Sequence, residues 1–152
     1  MASTKTLRHI DAPPSAVYRA LLDPQAVAVW RVPAGMTSRV HEFDPREDGR
    51  FRISLTYDES TGAGKTTAQT DTFSGHFKKL TPNEEVIEVI EFETEDPDLH
   101  GEMTITTTLA DADGGTDVVV LHEGIPDRVP TGDNETGTRM ALDNLAAWVE
   151  AG

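Results

Sequence analysis

Five histidines are the first residues in this chain that could do chemistry, because imidazole binds metals and transfers protons near neutral pH. They are His9, His41, His76, His100 and His122. No two of them have the His-x-x-x-His or His-Glu-x-x-His spacing that directs two imidazoles to one zinc ion. The sequence therefore predicts no built-in metal. His122 continues the row of Val118 and Val120 near the end of a predicted strand, where it would be a hydrogen-bonded rim residue or a catalytic base.

Glu88 is a second candidate, within a predicted strand over residues 85–94. Alternation along the strand places it on one face with three apolar residues, Val86, Ile90 and Phe92. If that face lines a cavity, the carboxylate must be paired or protonated, and it would serve as a selective polar contact or a general acid. The alternative, which the charge pattern favours, has Glu88 facing solvent and Ile87 and Val89 facing inward.

Motifs for nucleophilic catalysis and phosphate binding are absent from the sequence. Without cysteine the chain has no thiolate nucleophile, disulfide or Cys-ligated metal. It also lacks the Gly-x-Ser-x-Gly elbow and a dinucleotide fingerprint. The stretch 61–67 superficially resembles a phosphate-binding loop, but Glu59 stands where that motif needs glycine, and a strand follows in place of a helix. The sequence thus favours a binding domain over an enzyme, and it predicts no cofactor.

The composition further restricts the function. There are 27 acidic residues against 13 basic ones, and the formal net charge is -14. Such a chain repels phosphate backbones and anionic membranes, so neither nucleic acid nor a membrane surface is an expected partner. No segment has the apolar length of a signal peptide or a membrane span, which predicts a soluble cytoplasmic protein. The length of 152 residues fits one domain, residues 1–152.

The elements that must position these residues begin with a strand from Thr6 to Ile10. Pro13 and Pro14 then disfavour helix before them and suit a first helical turn, which predicts a helix from Pro14 to Leu22. Asp23 and Pro24 form an N-cap followed by proline at the first helical position, so a second short helix should reach Trp30.

From Ser38 onward the sequence alternates between apolar and polar residues in stretches separated by turn signals. Short connections imply antiparallel pairing, and six or seven strands fit. A final helix is predicted from about Asp133 to Ala151. Its apolar face consists of Ala141, Leu145, Trp148 and Val149, with Met140 and Leu142 flanking. Gly137 and Ala141, one turn apart, would permit close packing or leave room for a ligand. The predicted class is α+β.

Several segments, taken in chain order, resemble the helix-grip fold of the START-like (SRPBCC) superfamily, in the branch named after the activator of the Hsp90 ATPase. The resembling segments are Ile10–Pro24, Trp30 with Pro33, Phe43–Arg52, Gly75, Pro82, Gly114–Thr116 and His122–Gly124. Two positions depart from the pattern. The family often has two adjacent tryptophans where this chain has Trp30 and Arg31, and Gly-Trp where it has Gly137 and Thr138.

This resemblance implies a curved antiparallel sheet gripping a long C-terminal helix, with a hydrophobic or amphipathic small molecule bound between them. The predicted ligand-binding residues are Trp30, Phe51, Phe92, Met103, Met140 and Trp148, with Glu88 and His122 as polar contacts. Two other functions stay open. One is an enzyme of polyketide-cyclase or dehydratase type, and the other is a module that interacts with a chaperone partner.

Overall fold

A computed structural model describes residues 2–58 and 70–151. Its seven strands are β1 (Ala2–Ile10), β2 (Met36–Phe43), β3 (Arg50–Tyr57), β4 (Thr70–Thr81), β5 (Glu85–Phe92), β6 (Met103–Ala112) and β7 (Gly115–Ile125). Its helices are α1 (Pro14–Leu21), α2 (Pro24–Trp30) and α3 (Thr131–Glu150), with one 3₁₀ turn at Pro97–Leu99. The stretch 61–67, rejected above as a phosphate-binding loop, lies outside the described residues.

The strands form one antiparallel sheet in the order β1-β7-β6-β5-β4-β3-β2. The chain therefore starts at one edge, crosses through α1 and α2 to the opposite edge, and returns strand by strand until β7 pairs with β1. Helix α3 then packs against β1, α1 and α2. This arrangement confirms the predicted α+β helix-grip architecture of a curved sheet, two short helices and one long helix.

The prolines act at the helix starts as predicted. Pro14 occupies the first turn of α1, which ends one residue before the predicted Leu22. At α2 the carboxylate of Asp23 accepts a hydrogen bond from the backbone N–H of Gln25 at 2.9 Å, and Pro24 has no N–H that would need an acceptor there. This cap fixes the position of α2, whose last residue is Trp30.

Removing the cap gives a first testable prediction. Asp23→Ala should lower the free energy of unfolding by about 1 kcal/mol, because the N–H of Gln25 loses its side-chain acceptor. Asp23→Asn keeps an acceptor and should behave nearly as wild type. Urea denaturation of the three proteins measures the difference, and equal midpoints for all three would contradict the role of the cap.

Helix α3 differs from its prediction in where it begins and which face it buries. It begins at Thr131, after Pro130, and its buried residues are Leu142, Leu145 and Ala146. Trp148, placed on the buried face by the sequence, is 41% exposed. The apolar stripe is thus centred on Leu142 and Leu145, and the tryptophan lies at its edge. None of the described helices combines the length and apolar character needed to span a membrane.

A cluster of phenylalanines fills the core beside β2, β3 and β4. The rings of Phe51 and Phe77 lie 5.0 Å apart, and Phe43 meets Phe77 edge to face at 5.5 Å. Gly75 permits the close pairing of β4 and β5, since a Cβ atom there would lie 2.0 Å from the carbonyl oxygen of Val89. This packed end contrasts with the open space under α3.

Candidate functional site

A cavity of about 990 Å³ lies between the sheet and α3. Its floor comes from β3 to β7 and from Met36 at the start of β2, and its roof comes from the end of α2 and the first three turns of α3. Most of the described lining residues are apolar. Side chains that form its walls include Leu21, Leu55, Ile90, Ile105, Val120 and Leu142. The cavity is at the upper end of the size range that small-molecule sites occupy.

The structure brings five of the eight predicted ligand-binding residues to the cavity wall. They are Trp30, Glu88, Phe92, Met140 and His122. The other three lie elsewhere in the described part of the chain. Phe51 and Met103 are each 1% exposed and belong to the core, and Trp148 lies at the edge of the buried stripe of α3, outside the cavity lining. Ligand binding by the lining residues stays a prediction.

Strand β5 buries the face that its charge pattern had predicted to be exposed. Glu88 is only 6% exposed and shares the buried row with Val86 and Ile90. Ile87 and Val89 lie on the outer face and are half-buried. The expectation that Glu88 faces solvent was therefore wrong, and the physical reason is a partner that the local sequence does not reveal.

That partner is Arg31, the residue directly after α2. Its Nη1 atom donates to Oε1 of Glu88 at 2.6 Å, and both side chains are largely buried. The guanidinium carbon lies 5.1 Å from the ring centre of Phe73 and 5.8 Å from that of Phe51, at distances typical of cation–π contacts. Sequence reasoning did not select Arg31. The available signal was its place beside Trp30, where the family often has a second tryptophan.

His122 belongs to a separate polar chain at the β7 side of the cavity. The hydroxyl of Thr4 donates to Oδ1 of Asn134 at 2.7 Å, which turns the amide N–H of Asn134 toward Nδ1 of His122 at 3.1 Å. The proton of the neutral imidazole therefore resides on Nε2, which is 3.4 Å from the sulfur of Met103. Burial, together with the positive charge of Arg31, lowers the pKa of His122 to about 4.

These contacts decide what the polar groups can do. At neutral pH His122 is uncharged, and its Nδ1 atom accepts a hydrogen bond from the amide of Asn134. Protonation at Nδ1 therefore requires that this hydrogen bond break. Glu88 is held by Arg31. The arrangement favours fixed polar contacts for a bound molecule over proton transfer. Within residues 2–58 and 70–151, no three His, Asp or Glu side chains are grouped as metal ligands.

Comparison with known proteins agrees with this architecture. Residues 11–150 match the family model described as activator of Hsp90 ATPase homolog 1-like protein. The chain belongs to this family. The crystal structure of a protein from Chromobacterium violaceum is 35% identical in sequence. The match covers 97% of this chain and 96% of that protein's chain, with a TM-score of 0.87. The resemblance inferred from the sequence is thereby confirmed.

Two further structures extend the likeness at lower identity. A Rhodobacter sphaeroides protein is 22% identical, covering 98% of this chain and 92% of its own, with a TM-score of 0.80. The AHSA1-like protein from Aeromonas hydrophila is 21% identical, covering 99% and 93%, with a TM-score of 0.71. At these identities the likeness shows the fold alone. No curated protein matches the chain in sequence.

Proposed function

We propose that this protein binds a hydrophobic or amphipathic small molecule in the cavity between its sheet and α3. The observation that carries the proposal is the cavity itself, about 990 Å³ in volume and walled mainly by apolar side chains. An interior filled by its own side chains would have left no room for a ligand. Membership of the family supports a ligand-binding domain at this coarse level.

The polar groups in the cavity are few and held in place, as in sites that orient a ligand. Glu88 on β5 and Arg31 just after α2 form one polar position, and His122 on β7 with Asn134 on α3 forms another. Ile105 lies between them, because it pairs with Glu88 on one side and with His122 on the other. A ligand with an apolar body and a polar end would fit this arrangement.

Filling the cavity from α3 tests the proposal. Gly137 lines the cavity, and a Cβ atom at this position would have no neighbour within 4 Å. Gly137→Phe should therefore place its ring in the ligand space and weaken binding of the neutral dye N-phenyl-1-naphthylamine at least ten-fold. Fluorescence titration measures the affinity, and circular dichroism verifies that the variant is folded.

Gly137→Ala is the matched control for this experiment. It adds one methyl group to the same position, so dye binding should stay close to wild type. The helix itself should gain about 1 kcal/mol, since glycine is unfavourable in a helix interior. Equal dye affinity for wild type and a folded Gly137→Phe protein would contradict ligand binding in this cavity.

The family description supports a second candidate function, as a module that acts on a chaperone. The family is named for an activator of the Hsp90 ATPase. Stimulation of the ATPase rate of an Hsp90-type chaperone from the same organism would support this role. Such stimulation should be unchanged by Gly137→Phe if a surface carries it, which separates it from cavity binding. The contacts of Glu88 and His122 give less support to a cyclase or dehydratase.

A further inference from the structure

The Arg31–Glu88 ion pair in the cavity is incompletely hydrogen-bonded. Its single hydrogen bond joins Nη1 of Arg31 to Oε1 of Glu88. Among the described residues neither side chain makes another hydrogen bond, so Nε, Nη2 and Oε2 have no protein partner. Both residues line the cavity, and their side chains keep 16% and 8% of their surface accessible. A buried ion pair is favourable only when its remaining donors and acceptors are also satisfied.

Building on the proposed function, we infer that this pair selects a ligand with a neutral head group that both accepts and donates hydrogen bonds, such as a primary amide, over a carboxylate. The carbonyl oxygen of the head group accepts from a free N–H of Arg31, and its N–H donates to Oε2 of Glu88. Oε2 of Glu88 and one nitrogen of Arg31 then each gain a hydrogen-bond partner without any new charge in the cavity.

The position of the guanidinium makes this selection possible. The guanidinium of Arg31 contacts the rings of Phe73 and Phe51, which stabilise its position beside Glu88. It therefore cannot move away from Glu88 to meet an anion elsewhere in the cavity without losing both ring contacts. A head group that accepts from Arg31 therefore binds a guanidinium whose Nη1 atom lies 2.6 Å from Oε1 of Glu88.

Charge around the cavity acts against a carboxylate ligand. Among the described lining residues, five carboxylates stand against two guanidinium groups, an excess of three negative charges. Both guanidinium groups are already paired, Arg31 with Glu88 and Arg128 with Asp96, and His122 is neutral at pH 7. A ligand carboxylate bound to Arg31 would lie beside the carboxylate of Glu88. The repulsion between these two negative charges would weaken binding of the ligand.

A matched pair of short amphiphiles tests the inference. Octanamide and octanoate share one alkyl chain and differ in the head group. Displacement of N-phenyl-1-naphthylamine at pH 7.5 should give wild-type protein an affinity for octanamide at least ten times that for octanoate. This arm of the experiment needs no variant. Equal affinities, or a preference for octanoate, would overturn the inference.

Glu88→Gln identifies the source of the preference. The substitution keeps the shape of the side chain but leaves Arg31 as an unpaired positive charge, so octanoate should bind at least ten times more tightly than it does to wild type. Glu91→Gln is the matched control, because Glu91 is a carboxylate of the same strand that is exposed on the outer face and lies outside the cavity lining. It should leave the preference for octanamide unchanged.

The remaining outcomes separate this inference from the proposed function. If the dye binds wild type but neither amphiphile displaces it, the head-group inference is wrong while cavity binding stands. If Glu88→Gln folds and keeps the wild-type preference, Glu88 does not set the selection. If the dye does not bind wild type at all, the proposed function is contradicted, and this inference with it.

Discussion

Replacing Glu88 with alanine is expected to lower the free energy of unfolding by about 3–5 kcal/mol, because the guanidinium of Arg31 is left buried without its counter-charge. The ring contacts with Phe73 and Phe51 hold Arg31 in this place, so it cannot reach solvent without losing them. Urea denaturation followed by circular dichroism measures the change. The expected loss is a large part of the total stability of an ordinary domain.

Two comparisons identify the cause of that loss. In the double variant Arg31→Met, Glu88→Leu both charges disappear, and stability should return to within about 1 kcal/mol of wild type. Glu93→Ala breaks a more exposed ion pair with Arg52 and should lower stability by less than about 1 kcal/mol. A loss for Glu88→Ala no larger than that for Glu93→Ala would contradict the importance of burial.

The order of elements could be predicted from the sequence because each depends on local signals. Pro14, Asp23 and Pro24 each act within one turn of a helix start. The structure places α1 and α2 within one residue of the predicted bounds. Alternation and turn residues likewise give the strands, and short connections give antiparallel pairing. The fold follows from signals that need no knowledge of distant contacts.

The inner face of β5 could not be predicted in this way. Both rows of the strand carry aliphatic residues, Val86 and Ile90 on one and Ile87 and Val89 on the other, so hydrophobicity alone does not distinguish them. The deciding contact joins Glu88 to Arg31, 57 positions earlier in the chain. Charge patterning assumes that a carboxylate faces solvent, and this assumption fails once a distant side chain pairs it.

The hydrogen-bonded chain at His122 could not be predicted for a similar reason. His122 was selected from its strand position alone, whereas Asn134 and Thr4 lie 12 and 118 positions away from it. Neither was a predicted site residue, and nothing in the spacing of the three indicates that they meet. Pairing of β1 with β7 brings Thr4 opposite His122, and the start of α3 then places Asn134 between them. Tertiary topology assembles this network from residues that have no local pattern.

His122 should make the stability of the protein depend on pH below neutrality. Its pKa falls from 6.5 to about 4 on folding, so the unfolded chain binds the proton more readily between these values. The stability that the protein has with a neutral His122 is therefore fully present above pH 6.5. It is lost progressively as the pH falls toward 4. The shift corresponds to about 3 kcal/mol over that interval.

Comparison of wild type with His122→Gln isolates this contribution. Glutamine can still accept from the amide of Asn134 but does not titrate, so between pH 6.5 and 4 the variant should gain about 3 kcal/mol relative to wild type. Urea denaturation at several pH values gives the difference. A difference that stays constant from pH 7.5 to 4 would contradict burial of a neutral His122.

His9→Gln is expected to show the opposite sign and so serves as the counterpart. The hydrogen bond from the imidazole of His9 to Asp117 raises the pKa of His9, and the negative charges of Asp117 and Asp11 act in the same direction. Its stabilising effect is therefore present below pH 6.5 and disappears as the pH rises through the pKa of the folded state. His9→Gln should lose stability relative to wild type on the acid side, where His122→Gln gains it. Because His9 lies at the surface and His122 in the cavity wall, opposite slopes would locate the acid sensitivity of this fold in its candidate site.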